Sequence, residues 1–321
     1  MGSTHLNYYM HDSRVEILGI IDSDRTRGRK LAYEGNCKSF SNIDEAYAFS
    51  NADFADICLP SFLHREAVTK CIWKGSNVIV EKPFALYEAD AMDMIECART
   101  NKKRLMVAQV CRFMPQYSQT KKLLDSGTMG KPISFFGFRE SPPPEWSNWF
   151  RNPSLSGGTL MDLSIHDIDI ANWFLGKPET CRAVISSDAK NKGLSYISTS
   201  IIYKNGSQAT IIANHLLPAK YKFINGFRLL LENGCIEWNT GVFPDGMLGI
   251  TEGTKTRFVD ISKEYEKEFN DPYATELESF ISCLISGKSF PIEPEEAMLA
   301  VKTVQDLYRS SVSTSPVGKT S

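Results

Sequence analysis

The chain has 321 residues, 42% of them hydrophobic, which is enough for one or two buried cores and suggests two domains. A net charge of -2, without a basic stripe or acidic run, excludes a nucleic-acid surface and a charged tail. No apolar run approaches the ~18 residues of a membrane span, and residues 1–12 lack the apolar centre of a signal peptide. The eight cysteines form no C-x-x-C pair, so we expect free thiols in a reducing cytoplasm.

The first third of the sequence alternates short apolar runs with helical patterns, which predicts βαβ units and a parallel sheet. The predicted strands cover residues 15–22, 54–59, 77–81 and 104–110. The predicted helices cover residues 3–11, 25–34, 43–51, 65–74 and 87–100.

The pattern changes after residue 112. A helix at 116–125 and a strand at 133–139 lead to a Pro/Trp-rich loop at 141–155, followed by a helix at 158–175. Long β patterns follow, with Asn205-Gly206 and Asn233-Gly234 as hairpin turns. Helices at 273–286 and 295–310 come next, and the Ser/Thr-rich tail 311–321 is expected to be loose.

Part of a dinucleotide-binding fingerprint stands at the N-terminus. Such a site uses G-x-G-x-x-G between the first strand and helix, and an acidic residue about 20 positions later for the ribose. Gly2 stands at that distance before Asp22, which ends an apolar run, but the first strand and two earlier glycines are missing. Read singly, Gly2 is equally an ordinary N-terminal glycine, and strand-ending aspartates are common. We therefore expect an N-terminally truncated Rossmann dinucleotide-binding domain over residues 1–112.

The missing strand would be the centre of the sheet, and its loss leaves two neighbouring ladders unpaired. We therefore expect Met1 to be an internal methionine of a longer reading frame. In-frame codons upstream would then encode a short apolar strand and G-x-G-x.

A candidate catalytic lysine follows a buried strand in Val78-Ile79-Val80-Glu81-Lys82-Pro83. Ligands of open α/β sheets bind beyond the carboxyl ends of strands, which is where Lys82 is expected to lie. The alternative is a surface lysine in a loop.

A second candidate group lies in Ser156-Gly157-Gly158-Thr159-Leu160-Met161-Asp162-Leu163-Ser164-Ile165-His166-Asp167-Ile168-Asp169. Asp162 and His166 are i and i+4 on one predicted helical face, and Asp169 continues it. A carboxylate beside an imidazole can tune a general base. The alternative is a structural Asp–His pair, and H-E-x-x-H is absent, so no metal is expected.

Together these motifs resemble the glucose–fructose oxidoreductase/inositol dehydrogenase family, known as Gfo/Idh/MocA. Glu81-Lys82-Pro83 with Leu86, Asp90 and Ala91 matches its first motif, and the segment quoted above matches its second. The resemblance runs from about Gly2 to Arg309. It implies an α/β fold class, in which the Rossmann parallel sheet, here without its first strand, precedes an α+β domain with a large, open-faced, mostly antiparallel sheet. That second domain would cover residues 113–321, with a C-terminal helix that packs back on the first domain.

The resemblance also implies an activity, namely hydride transfer between a sugar, polyol or inositol-like hydroxyl and NAD, with NADP possible. His166 would be the general base, Lys82 would stabilise charge on the reacting oxygen, and Asp162 would orient them. The implied cofactor-binding residues are Gly2, Asp22, Leu59, Pro60, His64, Glu81 and Lys82. The implied substrate contacts are Arg112, Asp169 and Trp149.

Two details bear on the substrate. Inositol dehydrogenases tend to carry two arginines where this chain has Cys111 and Arg112, which weakens inositol itself as the substrate. The loop at 141–155 is either a wall of the sugar site or a packed linker. The implied partner is a small sugar or polyol, with neither nucleic acid nor membrane, and the open sheet predicts a homodimer or homotetramer. The competing function is a non-catalytic regulator that binds sugar or nucleotide.

Overall fold

The first part of the chain builds parallel β-ladders flanked by helices, as the alternation in the sequence predicts. The computed structural model describes residues 1–144, 148–187, 193–241, 246–261 and 271–314. The first helices are α1 (Gly2–Tyr9), α2 (Arg25–Glu34), α3 (Ile43–Phe49), α4 (His64–Trp73) and α5 (Glu88–Thr100). The first strands are β1 (Gly19–Ile21), β2 (Lys38–Phe40), β3 (Phe54–Ile57), β4 (Asn77–Glu81) and β5 (Leu105–Ala108).

The parallel sheet is in two parts. β1 pairs with β2, and a separate ladder has the order β3-β4-β5. Within the described residues the two ladders share no hydrogen-bonded strand, the arrangement expected of a Rossmann sheet that lacks its first strand. β1 is shorter than the predicted strand at 15–22 and, among the described strands, pairs with β2 alone. β2 was not predicted from the sequence.

The second part of the chain forms one large sheet and the helices that cover it. The helices are α6 (Pro115–Asp125), α7 (Pro153–Ser156), α8 (Gly158–Asp162), α9 (Ser164–Leu175), α10 (Pro272–Ser286) and α11 (Pro294–Arg309). The strands are β6 (Pro132–Glu140), β7 (Pro178–Ser187), β8 (Ser195–Tyr203), β9 (Gln208–Asn214), β10 (Ile224–Leu231), β11 (Gly234–Asn239), β12 (Met247–Glu252), β13 (Lys255–Asp260) and β14 (Val312–Thr314).

Among the described residues the order of this sheet is β13-β12-β11-β10-β6-β9-β8-β7-β14. Its ladders are antiparallel except β6 with β9 and β7 with β14. The two Asn-Gly turns join β8 to β9 and β10 to β11, as predicted. A Rossmann-like part followed by a large, mostly antiparallel sheet confirms the fold class expected from the sequence.

The faces of the large sheet differ. One face carries α9, which packs on β6 and β9. Alternate side chains on this face, such as Phe135, Ile201 and Ile211, are buried. On the opposite face Phe136, Ile202 and Leu230 are exposed at 37%, 46% and 42%. Within the part of the chain that the structure describes, that face is therefore open.

Two expectations about local structure are wrong. The predicted helix at 158–175 is two helices, because the helix is interrupted at Leu163, where φ is -98°. Apolar periodicity continues through this interruption and so cannot reveal it. The tail is not loose throughout: Val312–Thr314 adds to the edge of β7, whose backbone groups need a partner. Residues 315–321 lie outside the described part.

The last two helices return to the first part of the chain. α10 contacts α1, and its Leu277 and Phe280 share a core cluster with Ile79 and Met106 of the parallel strands. α11 packs on α9 and also on α5 and β5. No helix among the described residues has both the length and the apolar content needed to cross a membrane.

Candidate active site

Lys82 directly follows β4 and reaches the second part of the chain. Its Nζ donates to the backbone oxygen of Asp162 at 3.2 Å and lies 3.3 Å from the Oδ1 of the same residue. The lysine side chain is 21% exposed, so the ammonium group is partly desolvated yet accessible to a ligand. Two residues predicted from separate motifs are therefore in contact.

His166 lies in the first turn of α9, beyond the interruption that separates it from Asp162. Its ring is half-buried, and its Nδ1 lies 3.5 Å from the Sγ of Cys111. Burial lowers the pKa of His166 well below its ordinary value, and the positive charges of Lys82 and Arg139 lower that pKa further. The imidazole is therefore neutral near pH 7, which is the form that accepts a proton.

A buried ion pair between Arg139 of β6 and Asp167 of α9 lies near this histidine. Arg139 Nε donates to Asp167 Oδ2 at 2.9 Å, and its Nη2 donates to Asp167 Oδ1 at 3.2 Å. The same Nη2 lies 3.8 Å from the Sγ of Cys111. The cysteine in place of an arginine was visible in the sequence, whereas no motif pointed to Arg139. Arg139 does place a positive charge beside Cys111, but it comes from β6, which is distant from Cys111 in the sequence.

A pocket opens beside Asp162. Its walls are Asp162 and Leu163, the segment from Ser141 to Pro144, and His215 and Ala219 beyond β9. The predicted loop wall thus borders the same pocket as a predicted catalytic residue, while Glu145, Trp146 and Ser147 lie outside the described residues. His215 was missed, because a single histidine after a strand carries no motif. Burial lowers its pKa, and its Nδ1 lies 3.3 Å from Thr159 Oγ1.

The predicted substrate contacts Arg112 and Asp169 bind each other. Arg112 Nε and Nη2 donate to the two carboxylate oxygens of Asp169 at 2.8 and 2.7 Å. Its Nη1 donates to Glu296 of α11 at 2.9 Å. Both members of the pair are buried, so they fasten α9 to α11, and a substrate role for them stays a prediction. Trp149 stacks on Phe150 and likewise stays a predicted contact.

The predicted ribose aspartate lies just beyond β1. Asp22 accepts from Arg27 Nε and Nη2 at 2.6 and 2.8 Å, and this arginine lowers the pKa of the carboxyl group. The pairing places a cation beside the predicted ribose aspartate, and contact of Asp22 with a cofactor stays a prediction. Gly2 begins α1, and its Cα faces Cys58, which follows β3.

The other predicted cofactor residues lie between β3 and the start of α4, and at the end of β4 and directly after it. His64 is fully buried, and its ring lies 2.8 Å from the carbonyl oxygen of Leu59 and 3.0 Å from that of Pro83. It thereby joins the loop that contains Pro60 to the loop that follows Lys82. Glu81 is also buried and accepts from the backbone N–H of Lys82 at 3.0 Å. Contact of these residues with a cofactor stays a prediction.

The chain combines a dinucleotide-type parallel sheet and an open antiparallel sheet with a lysine, an aspartate and a histidine between them. This combination is typical of one class of protein, the two-domain nicotinamide-dependent oxidoreductases. The chain belongs to the GFO/IDH/MocA oxidoreductase family. Residues 1–109 match its "Oxidoreductase family, NAD-binding Rossmann fold" domain, and residues 117–237 match its C-terminal domain.

Similar proteins include several named dehydrogenases. The scyllo-inositol 2-dehydrogenase (NAD⁺) of Bacillus subtilis is 25% identical over 90% of this chain and 86% of its own length. The D-xylose 1-dehydrogenase (NADP⁺) 2 of Haloferax volcanii is 24% identical over 93% and 90%. Among solved structures, KijD10, a 3-ketoreductase from Actinomadura kijaniata in complex with NADP and TDP-benzene, has a TM-score of 0.83. It is 17% identical, with 97% of this chain and 94% of that chain covered.

Proposed function

We propose that this oxidoreductase transfers hydride between NAD(P) and a CH–OH carbon of a sugar, polyol or inositol-like substrate. The observation that carries the proposal is the contact of Lys82 with Asp162, which lines a pocket. The charge of Lys82 also helps to lower the pKa of His166, which is well below its ordinary value mainly because of burial. A neutral imidazole can accept the proton of an alcohol, and an ammonium donor can stabilise the negative charge that develops on its oxygen.

In the oxidative direction His166 accepts the proton of the reacting hydroxyl group. Lys82 donates a hydrogen bond to the same oxygen and stabilises the negative charge that develops there. Asp162 holds the ammonium group in place through the 3.3 Å contact. Bound NAD(P) supplies the hydride acceptor. In the reductive direction His166 returns the proton.

The cofactor fits the first part of the chain. Gly2 brings the N-terminus of α1 to the loop after β3, where backbone N–H groups suit a pyrophosphate. Asp22, just beyond β1, can accept hydrogen bonds from the ribose. Arg27, which contacts Asp22, can bind a 2′-phosphate.

The substrate class is supported by the pocket and by the relatives. Proline rings and Leu163 give the pocket apolar walls, while Asp162 and His215 offer polar groups, a combination that suits the mixed surface of a sugar. The named relatives act on an inositol and on xylose.

The test is a screen for NAD(P)H formation with inositols, aldoses, anhydro-sugars and amino sugars, each with NAD and with NADP. Turnover with one class, lost in a His166→Gln variant, supports the proposal. Tight binding of a sugar without turnover, measured calorimetrically in the presence of cofactor, favours the non-catalytic regulator instead.

We also propose that two or four copies assemble through the open face of the large sheet and work in the cytoplasm. Exposed Phe136, Ile202 and Leu230 give that face apolar side chains for a second copy to cover. All eight cysteines are free thiols, which supports a reducing compartment.

A further inference from the structure

Three ligand-type side chains meet where α1 passes the end of β3. His5 Nδ1 lies 2.7 Å from Asp56 Oδ2 and 3.4 Å from Cys58 Sγ, and that sulfur lies 3.3 Å from Asp56 Oδ1. Donors held by a tetrahedral Zn²⁺ at its usual bond lengths are roughly 3.2–3.6 Å apart. The three groups therefore need only small side-chain rotations to enclose an ion.

The groups around these three side chains are those that metal ligands require. His5 Nε2 lies 3.3 Å from Glu81 Oε1, although the two atoms do not form a hydrogen bond in this geometry. A histidine that binds a metal through one nitrogen usually gives its other N–H to a carboxylate, which Glu81 supplies here. The hydroxyl of Tyr9 donates to Asp56 Oδ2 at 2.7 Å and orients that carboxylate.

An independent observation comes from α10. Glu276 is fully buried, and neither of its carboxylate oxygens has a hydrogen-bond partner among the described residues. Burial raises the pKa of Glu276 well above its ordinary value, and the nearby charges of Glu81, His5 and Asp56 also act on this carboxyl group. An unpartnered buried carboxylate beside further carboxylates is costly unless a proton or a cation compensates it.

We propose that His5, Asp56 and Cys58 bind one Zn²⁺ ion, with a water molecule as the fourth ligand. The mixed nitrogen, oxygen and sulfur donors suit zinc, whereas magnesium and calcium prefer oxygen alone. Asp56 and Cys58 are only half-buried, which leaves an entrance.

The ion would fasten α1 to the end of β3. No step of the proposed hydride transfer passes through it, so the site goes beyond the proposed function. No metal was expected from the sequence because H-E-x-x-H is absent, and no local motif links His5 to an aspartate 51 residues away.

The experiment uses the full chain, stripped of metal and titrated with Co²⁺ and then with Zn²⁺ against a chromophoric chelator. We expect one equivalent of Co²⁺ to bind with a thiolate charge-transfer band in the near ultraviolet, and Zn²⁺ to displace it. Cys58→Ser should abolish that band. Loss of a ligand in His5→Gln or Asp56→Asn should weaken Zn²⁺ binding by more than the 10–100-fold expected for Glu81→Gln.

The matched control is Cys235→Ser, which removes another half-buried thiol, on β11, and should bind zinc like the wild type. Should the variants fail to fold, mass spectrometry of the wild type still decides the matter: one equivalent of Zn²⁺ should protect Cys58 from alkylation and leave Cys235 reactive. No thiolate band with Co²⁺, or equal alkylation of Cys58 with and without zinc, overturns the proposal.

Discussion

His166→Ala removes the group to which we assign the proton. Loss of a general base typically lowers kcat by about 10²–10⁴-fold. Burial and the charges of Lys82 and Arg139 lower the pKa of this imidazole, and a weaker base contributes less to the rate. We therefore expect the lower end of the range, about 10²-fold, which corresponds to about 2.7 kcal/mol of transition-state stabilisation.

Initial rates of NAD(P)H formation at saturating substrate measure kcat, and fluorescence titration measures cofactor affinity, which should barely change. The matched control is His11→Ala, because His11 is exposed and its Nδ1 lies within hydrogen-bonding distance of the backbone oxygen of Asn7 in the same segment. It should keep the wild-type kcat. Added imidazole should restore part of the rate of His166→Ala. Near-full turnover by His166→Ala without imidazole refutes the assignment.

Further predictions concern the neighbours of this histidine and the assembly. Lys82→Ala should lower kcat as strongly, with the cofactor affinity mostly intact in the same titration. Because the pKa of His166 is lowered, kcat/KM for oxidation should stay level as the pH falls through 6.5, and decline only at lower pH where the ring gains a proton; a midpoint at or above 6.5 contradicts this. Asp167→Asn leaves the buried Arg139 unpaired and should lower the free energy of unfolding by about 3–5 kcal/mol, seen as a lower Tm, whereas an unchanged Tm speaks against a structural role for the pair. Light scattering at tens of micromolar should report a dimer or tetramer that Phe136→Arg weakens; a wild-type monomer argues against the open sheet as an interface.

The sequence predicted the elements whose signals are local. Asp24 caps α2 by accepting from Thr26 N and Arg27 N, and the predicted helix at 25–34 has the observed bounds. The strand at 77–81 also has its observed bounds, because a buried parallel strand is a continuous apolar run. β2 and β14 have only three residues each, and they exist because a neighbouring strand offers backbone groups. Such strands cannot be identified from local propensity.

The site was predictable to the extent that it rests on two motifs. These motifs named Lys82 and Asp162, and the fold brings the two into contact. Residues that enter from distant strands were not predictable, because no spacing links Arg139 or His215 to either motif. The mutual pairing of Arg112 with Asp169 was likewise hidden, since a charged side chain in a sequence does not indicate whether its partner will be a ligand or another side chain.

The return of α10 to the parallel strands has a consequence for synthesis of the protein. Leu277 and Phe280 complete the core over Ile79 and Met106, so this apolar surface stays uncovered until α10 has left the ribosome. Early folding of an N-terminal domain would therefore produce an incomplete unit that invites aggregation or chaperone binding. A fragment that ends near residue 112 should share this defect, and adding a separate peptide with the sequence of α10 should rescue its solubility.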